Sequence, residues 1–199
     1  MRSAQQVEDL ANASTGSVDQ VAAGLRIQAA PRRGLDVGLG RDMRPVSGLR
    51  IQRLHREPVV VAMAEDHPLA TRPTLRLVDL AGWAVVKLPR ERARLIDDLL
   101  RSIPADTGAA PAGSPAAVAQ EANQYMTLLA LVAAGMGVAL VPDSVRPLRL
   151  SGMRYLALDE PSASTSLMVA TRAEPGHPAA DQLRTVLVEE FGDAVQARS

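Results

Sequence analysis

Short apolar runs separated by turn residues recur along the chain and have the length of buried strands. These strand-like runs cover residues 35–40, 49–54, 59–63, 83–88, 116–120, 138–141, 155–158 and 166–171. The run at residues 59–63 is apolar throughout, which predicts a strand that is buried on both faces.

Apolar residues at helical spacing predict four longer helices between these strands. The helices cover residues 17–28, 90–102, 122–134 and 178–191. In the second of them, the arginine and aspartate residues fall on the outward face, and in the last one Leu183, Val186, Leu187 and Phe191 share one face. Because strands alternate with helices, the pattern predicts an α/β fold with largely parallel sheets. Residues 104–117, rich in Pro, Ala and Gly, predict a flexible connector.

Two glycines, Gly135 and Gly137, lie between a predicted helix and a predicted strand. A phosphate-binding loop requires the opposite order, in which the helix follows the glycines. We therefore expect Gly135 to end the helix and Gly137 to let the next strand start close to it. The start of the same helix follows a strand, so its backbone N–H groups could bind an anion. Glu121 would then have to point away or pair with an arginine.

Composition excludes several classes of function. Lys and Arg together number 22, as do Asp and Glu, so the net charge is zero and does not favour autonomous binding to nucleic acid. The absence of cysteine excludes disulfides, thiolate catalysis and cysteine-based metal sites. No apolar run reaches the length of a membrane span, and the polar N-terminus lacks a secretory core. We therefore expect a cytoplasmic protein with no membrane partner.

No catalytic or metal-binding constellation emerges from the sequence. His55, His67 and His177 lack partners at metal-ligand spacing, and there is no Gly-x-Ser-x-Gly segment. Asp97 and Asp98 are consecutive on a predicted helix, so they face different directions. We therefore expect neither an enzyme nor a cofactor. The glycines at residues 38–40 follow a strand and fit either a ligand-facing loop or a simple turn.

Several short segments in a fixed order carry a resemblance to a known family. They are residues 35–39 (LDVGL), 56–61 (REPVVV), 67–70 (HPLA), 79–82 (DLAG), 120–122 (QEA), 131–142 (LVAAGMGVALVP) and 167–170 (LMVA). Together they resemble the effector-binding domain of LysR-type transcriptional regulators over residues 18–191. Residues 88–90 (LPR) and 120–123 (QEAN) are most similar to the branch that senses aromatic-pathway metabolites such as muconate or benzoate.

The resemblance implies a type 2 periplasmic-binding-protein-like fold, in which two α/β lobes are joined by two crossover strands at residues 57–63 and 166–171. It assigns residues 1–62 and 166–199 to the first lobe and residues 63–165 to the second. A small carboxylate effector is expected between the lobes. The matching effector-binding positions are Gly40, Arg41, Leu88, Pro89, Arg90, Gln120, Glu121, Ala122 and Asn123.

The chain also departs from the family pattern. The family begins with a winged helix-turn-helix and a linker helix, and we expect both to be absent here, along with the first strand and helix of the first lobe. The resemblance therefore implies a truncated sensing domain that reaches DNA only indirectly, as a homodimer or as a heterodimer with a full-length relative. The alternatives are a stand-alone solute-binding protein, a non-functional fragment of a regulator, and a small enzyme on the same scaffold, which would need an acid–base pair.

Overall fold

The computed structural model describes residues 36–103, 118–148, 150–173 and 178–193. Within these ranges it contains eight strands, β1 Val37–Arg41, β2 Leu49–Ala64, β3 Thr74–Leu75, β4 Val85–Lys87, β5 Val118–Glu121, β6 Ala139–Pro142, β7 Met153–Leu158 and β8 Ser164–Arg172. The α-helices there are α1 Arg94–Arg101, α2 Tyr125–Ala133 and α3 Pro178–Asp193. The helix predicted at residues 17–28, the connector at 104–117 and the predicted loss of the first strand and helix lie outside the described ranges.

A single strand, β2, belongs to both halves of the structure. Residues 49–58 pair with β8, and β8 in turn pairs with β1. Residues 60–62 pair with β6 and also with β7, so these two strands flank β2 on opposite edges. The sequence predicted two separate strands here, at 49–54 and 59–63. That prediction was wrong because the intervening polar residues, including Glu57, are bridged by regular pairing with β8.

The prediction of largely parallel sheets was also wrong. Every pairing of β2 is antiparallel, as is the pairing of β1 with β8. Parallel pairing joins β3 to β7 and β4 to β5, and a parallel bridge joins Val85 to Val138. The neighbours of β2 return alongside it in the opposite direction, so they pair with it antiparallel. Parallel pairing occurs where a helical connection joins two strands, as α1 does between β4 and β5.

Side chains of β2 alternate between two cores, because successive residues of a strand point to opposite faces. Val59, Val61 and Met63 enter a cluster that also contains Ile96 and Leu100 of α1. On the other face, Val60 and Ala62 pack with Leu128, Leu129 and Val132 of α2. All the β2 residues in these two clusters are at most 2% exposed, which confirms the predicted strand buried on both faces. This half of the molecule is a helix–sheet–helix sandwich.

The other half is covered by α3, which packs on the sheet of β1, β8 and β2. Leu187 lies in a cluster with Leu54 and Val169, and Leu183 and Phe191 pack against it. The predicted helix is confirmed, but Val186 is 41% exposed, and Val188 takes its place in the contact. Among the described residues, no helix combines the length and the apolar character needed to cross a bilayer.

The two central helices begin later than the sequence predicted. The helix predicted from residue 90 starts at Arg94, because residues 89–93 form a turn in which Ala93 has extended φ and donates its N–H to the Pro89 carbonyl. The helix predicted from residue 122 starts at Tyr125. In α1, the prediction that aspartate points outward was wrong for Asp97, which is 3% exposed.

Gly135 and Gly137 serve different purposes in the connection from α2 to β6. Gly135 has a φ of 78°, follows the last helical residues and donates its N–H to the Val132 carbonyl, as a left-handed helix end does. Gly137 has a φ of 145°, and a Cβ there would lie 2.3 Å from the carbonyl oxygen of Ala84. The close approach that requires Gly137 is therefore to the segment leading into β4.

Candidate functional site

The carboxyl ends of β4 and β5 lie side by side, because these two strands are parallel. Lys87 and Glu121 are register partners, and Lys87 Nζ lies 2.9 Å from Glu121 Oε1. The Ala122 N–H donates to the Lys87 carbonyl at 2.9 Å. The predicted positions Leu88, Pro89 and Arg90 thus follow one strand, and Gln120 to Asn123 end and follow its neighbour. Glu121 was expected to point away or to pair with an arginine, and in the structure it pairs with a lysine, Lys87.

A buried carboxylate, Asp97, binds the end of β4 to α1. It accepts hydrogen bonds at 2.7 Å from Lys87 Nζ and from Arg101 Nε, and it also pairs with Arg90. Burial raises the pKa of Asp97, but the hydrogen bonds from Arg101, Lys87 and Arg90 outweigh burial and hold the pKa well below its usual range. The carboxylate therefore stays ionised and fixes three cationic side chains.

Arg90 pairs with two acids of α1. Besides Asp97, its Nη2 lies 2.7 Å from Asp98 Oδ1. The pKa of Arg90 is raised by the hydrogen bonds from its guanidinium to Asp97 and Asp98. Nearby, Arg92 donates from Nη1 to the Asn123 carbonyl, which joins the loops after β4 and β5. Arg90 and Arg92 therefore fix the positions of α1 and of the loops that follow β4 and β5.

The other predicted arginine, Arg41, ends β1 and faces Glu57 of β2. Glu57 is 5% exposed and accepts hydrogen bonds from Arg41 Nη1 and, at 2.7 Å, from the backbone N–H of Ser144. Burial raises the pKa of Glu57, but the Ser144 N–H and the Arg41 guanidinium together lower it below its ordinary value. Gly40 precedes Arg41 in β1, opposite Met168, and a Cβ there would contact the Met43 side chain at 3.4 Å.

Tyr125 lies at the start of α2, near charged side chains at the end of β1. It is the first residue of α2, and the first intrahelical bond runs from the Leu128 N–H to the Gln124 carbonyl. Burial raises the pKa of Tyr125 to about 12, and the charges of Arg41, Glu57 and Asp42 act on its hydroxyl. These electrostatic interactions require the end of β1 to lie close to the start of α2. We call the space bounded by these two ends and by the loops after β4 and β5 the crevice.

Beside the crevice lies a cavity of about 430 Å³. Its walls come from the loop after β1, from one face of α1 and from the turn before β8. The lining residues are Asp42, Arg44, Arg94, Leu95, Asp98, Leu99, Ser102 and Ser162. None of the nine predicted site residues is among them. Within the described parts of the chain, no group of three or more His, Asp or Glu side chains is arranged to hold a metal ion.

Sequence reasoning missed Glu57, Tyr125 and Ser144. Glu57 carried a recognisable signal, since this charged residue stands two positions before an apolar run that is buried on both faces. Tyr125, one of two tyrosines in the chain, follows the predicted QEAN segment but was counted as part of a helix interior. Ser144 had no signal, because its role depends on a contact with residues 87 and 103 positions away.

Comparison with known proteins identifies the family. The sequence profile of the LysR substrate binding domain matches residues 20–192. The transcriptional regulator CatR of Pseudomonas putida is 29% identical over 166 residues, which are 83% of this chain and 55% of CatR. The transcriptional regulator IlvR of Caulobacter vibrioides is 34% identical over 148 residues, which are 74% of this chain and 47% of IlvR. The chain spans about half the length of these curated relatives.

Solved structures agree on the fold. The BenM effector binding domain with its effector benzoate superposes with a TM-score of 0.64 at 21% identity, covering 80% of this chain and 71% of that one. The predicted periplasmic-binding-protein-like fold is thereby confirmed. The curated relatives are named as transcriptional regulators, which at the level of the family agrees with the expectation of a non-enzyme. With the profile match over most of its length, this chain belongs to the LysR substrate-binding domain family.

Proposed function

We propose that this chain is the effector-sensing part of a transcriptional regulator and that a small carboxylate binds in the crevice. The observation that carries this proposal is the convergence on Tyr125. Tyr125 packs against the cluster that contains Leu88 and Ala122, and the charges of Arg41 and Glu57 act on its hydroxyl. The end of β1, the ends of β4 and β5 and the loop before α2 contain the nine positions that the family resemblance assigned to the effector. Loops at strand ends and helix starts are where open α/β sheets bind ligands.

The chemistry of the crevice suits an anion that reaches the start of α2. The N–H groups of the first three residues of α2 precede its first intrahelical bond, and the helix dipole makes this end positive. Because burial raises the pKa of Tyr125 to about 12, its hydroxyl is protonated at neutral pH and can donate a hydrogen bond to a carboxylate. The structure of the relative with benzoate supports a carboxylate, here proposed to be aromatic-derived.

The predicted arginines have an indirect role in this proposal. Arg41 and Arg90 already pair with Glu57 and with Asp97 and Asp98. Each guanidinium keeps further N–H donors, but a carboxylate ligand there would compete with these acids for the same positive charge. We therefore assign direct contact to Tyr125 and to the backbone of residues 120–123 and 125–127, whereas Gly40, Arg41, Leu88, Pro89 and Arg90 shape the walls.

Calorimetric titration of the chain with benzoate tests this site. Tyr125→Phe removes the hydroxyl and should weaken benzoate binding by about tenfold, the effect of one charge-assisted hydrogen bond. Tyr155→Phe is the matched control, because the Tyr155 hydroxyl contacts only the Met153 sulfur, at 3.8 Å, among the described residues. Equal benzoate affinity of the Tyr125→Phe variant and the unaltered chain would remove the crevice from consideration.

The signalling motion we propose is a change in the angle between two lobes, comprising residues 1–62 with 166–199 and residues 63–165. It is supported by the way β2 and the turn before β8 connect the two halves of the structure. Small-angle X-ray scattering should give a smaller radius of gyration with saturating benzoate. An unchanged scattering curve at saturation would contradict closure.

We also propose that the chain acts as a dimer, with itself or with a longer relative, and reaches DNA through that assembly. All four residues of β5 are exposed, and Val118 and Met126 are each 51% exposed, which leaves apolar side chains beside a strand edge. Size-exclusion chromatography with light scattering should report a dimer, and Val118→Lys should shift it to monomer. A gel-shift assay in which this chain alone binds promoter DNA sequence-specifically would overturn the indirect route to DNA.

A further inference from the structure

We propose that the 430 Å³ cavity between α1 and the loop after β1 is a second ligand pocket, which takes a small amphipathic monocarboxylic acid. Its volume falls in the range of about 300–1,000 Å³ that small-molecule sites occupy. None of the residues assigned to the crevice lines it, so this proposal does not depend on the proposed function. The pocket combines an apolar wall, a cation that has no side-chain partner in the described ranges, and two acids that are already hydrogen-bonded.

The apolar wall is one face of α1. Leu95 and Leu99 lie four residues apart, so they sit on the same side of the helix, together with Arg94, Asp98 and Ser102. Both leucines are half-buried and pack against the core cluster of Ile96 and Leu100. They therefore present fixed apolar surface to the cavity, which an aliphatic or aromatic ligand body can cover.

The cation is Arg44, which forms no side-chain hydrogen bond or ion pair with any residue in the described ranges. Arg41 and Arg90, by contrast, are each held by acids at short distance. Arg94, also in the wall, lies 3.6 Å from Asp98, and both side chains are about half exposed, so this ion pair is weak. Arg44, with help from Arg94, can receive a carboxylate through paired N–H donors.

Two acids in the wall limit the charge of the ligand. Asp42 accepts hydrogen bonds from Thr165 Oγ1 at 2.6 Å and from the Ser166 N–H at 2.8 Å, and this fixes its left-handed backbone with a φ of 47°. Asp98 accepts from Arg90 at 2.7 Å. Because Asp42 and Asp98 together offset the charges of Arg44 and Arg94, a dianion such as a phosphate ester is disfavoured. A monoanion with an apolar body fits best.

The cavity joins parts of both halves of the molecule. Asp42 and Arg44 follow β1, and Ser162 lies in the turn between β7 and β8, whereas the leucines belong to α1 of the helix–sheet–helix half. A ligand held by Arg44 and the leucines would therefore tie the loop after β1 to α1. A second carboxylic acid could therefore bind in this pocket while another ligand occupies the crevice.

The test uses benzoate, with benzamide as its uncharged analogue, and follows leucine-methyl NMR signals of the whole chain. Benzoate should shift the methyl signals of Leu95 and Leu99, and benzamide should leave them in place. Arg44→Ala should weaken this site-resolved binding by about tenfold. Arg154→Ala is the matched control, because Arg154 is likewise exposed and without a side-chain partner in the described ranges.

Tyr125→Phe separates the two sites. If the pocket is real, the Leu95 and Leu99 shifts persist in the Tyr125→Phe variant and weaken in the Arg44→Ala variant, whose folded state is checked by its thermal unfolding. If benzoate leaves the two leucines unshifted, or if Arg44→Ala and Arg154→Ala titrate alike, the second pocket is ruled out. Ruling out the second pocket would not affect the proposed site in the crevice, because that site is tested separately by Tyr125→Phe.

Discussion

Arg41 and Ser144 are joined by a hydrogen bond of 3.1 Å from the guanidinium Nη2 to the serine hydroxyl, although 103 positions separate them in the chain. Arg41 ends β1, and Ser144 lies in the 3-10 helix Asp143–Leu148 that follows β6. Glu57 accepts from both residues and completes a triangle. The two halves of the molecule are therefore connected by side chains as well as by β2.

Replacing Arg41 by methionine should destabilise the fold, because the buried Glu57 carboxylate would lose its cationic partner and keep only Ser144. We expect the free energy of unfolding to fall by about 2 kcal/mol, as for the loss of a hydrogen bond to a charged group. Urea denaturation measures this change. Arg154→Met, at an exposed position, should stay within about 0.5 kcal/mol. Equal stability of the two variants would show that Glu57 is satisfied without Arg41.

Asp97→Asn should be more costly than Asp98→Asn, although the two residues are neighbours. Asp97 is 3% exposed and neutralises Lys87, which is itself buried. Removing one partner of a buried ion pair costs about 3 kcal/mol or more, whereas exposed pairs such as those of Asp98 contribute about 1 kcal/mol or less. Equilibrium urea unfolding of both variants gives the comparison, and a similar loss in each would contradict a structural role for Asp97.

The stability of the chain should fall on acidification. The pKa values of Asp97 and Glu57 are lower in the folded chain than their ordinary values. At pH 7 both carboxyls are ionised in the folded and the unfolded chain, and their contribution to stability is fully present. As the pH falls through the unfolded value of about 4, the unfolded chain takes up protons first, and this contribution is progressively lost.

This loss can be measured as urea midpoints at pH 7, 5, 4 and 3. The decline should begin near pH 5. The Asp97→Asn variant should lose less stability over the same interval, because one of the responsible carboxyls is gone. Parallel curves for the variant and the unaltered chain would mean that Asp97 does not contribute to the acid response.

Two glycines two positions apart give a matched pair for backbone effects. Gly135→Ala meets no atom within 4 Å, so only its φ of 78° is unfavourable, and a loss of about 1 kcal/mol is expected. Gly137→Ala would add a clash with the Ala84 carbonyl oxygen, for a loss of about 3 kcal/mol or more. Thermal unfolding ranks the two variants, and a reversed order would contradict the described contact with Ala84.

The local elements could be predicted from the sequence because their apolar patterns are strong. The runs that became β2, β6 and β8 and the amphipathic α3 were placed within a few residues. The sheet pairing was not predictable in the same way, since the antiparallel neighbours of Val60 come from residues 141 and 157. The alternation of strands and helices predicted parallel pairing. No local sequence pattern indicates that one strand, β2, pairs with strands of both halves.

The predicted site residues were chosen by family resemblance, and the structure brings those of the second half together at the ends of β4 and β5. The contact of Arg90 with a ligand carboxylate stays a prediction. What the sequence did not predict is that Arg90 pairs with Asp97 and Asp98 of the following helix. A sequence pattern shows where charges stand along the chain, whereas the pairing of those charges depends on packing, such as the burial of Asp97.

Pro58 lies where β2 passes from one set of partners to the other. It pairs with Ser164, and the next residue, Val59, donates its N–H to the Ala163 carbonyl at 2.9 Å. Proline has no N–H, so the backbone there has one fewer bond to lose when its torsion angles change. Glu57, directly before it, carries the contacts to Arg41 and Ser144. The proposed change in the angle between the lobes would twist β2 at Pro58, so the neighbouring Glu57 contacts would respond to the same movement.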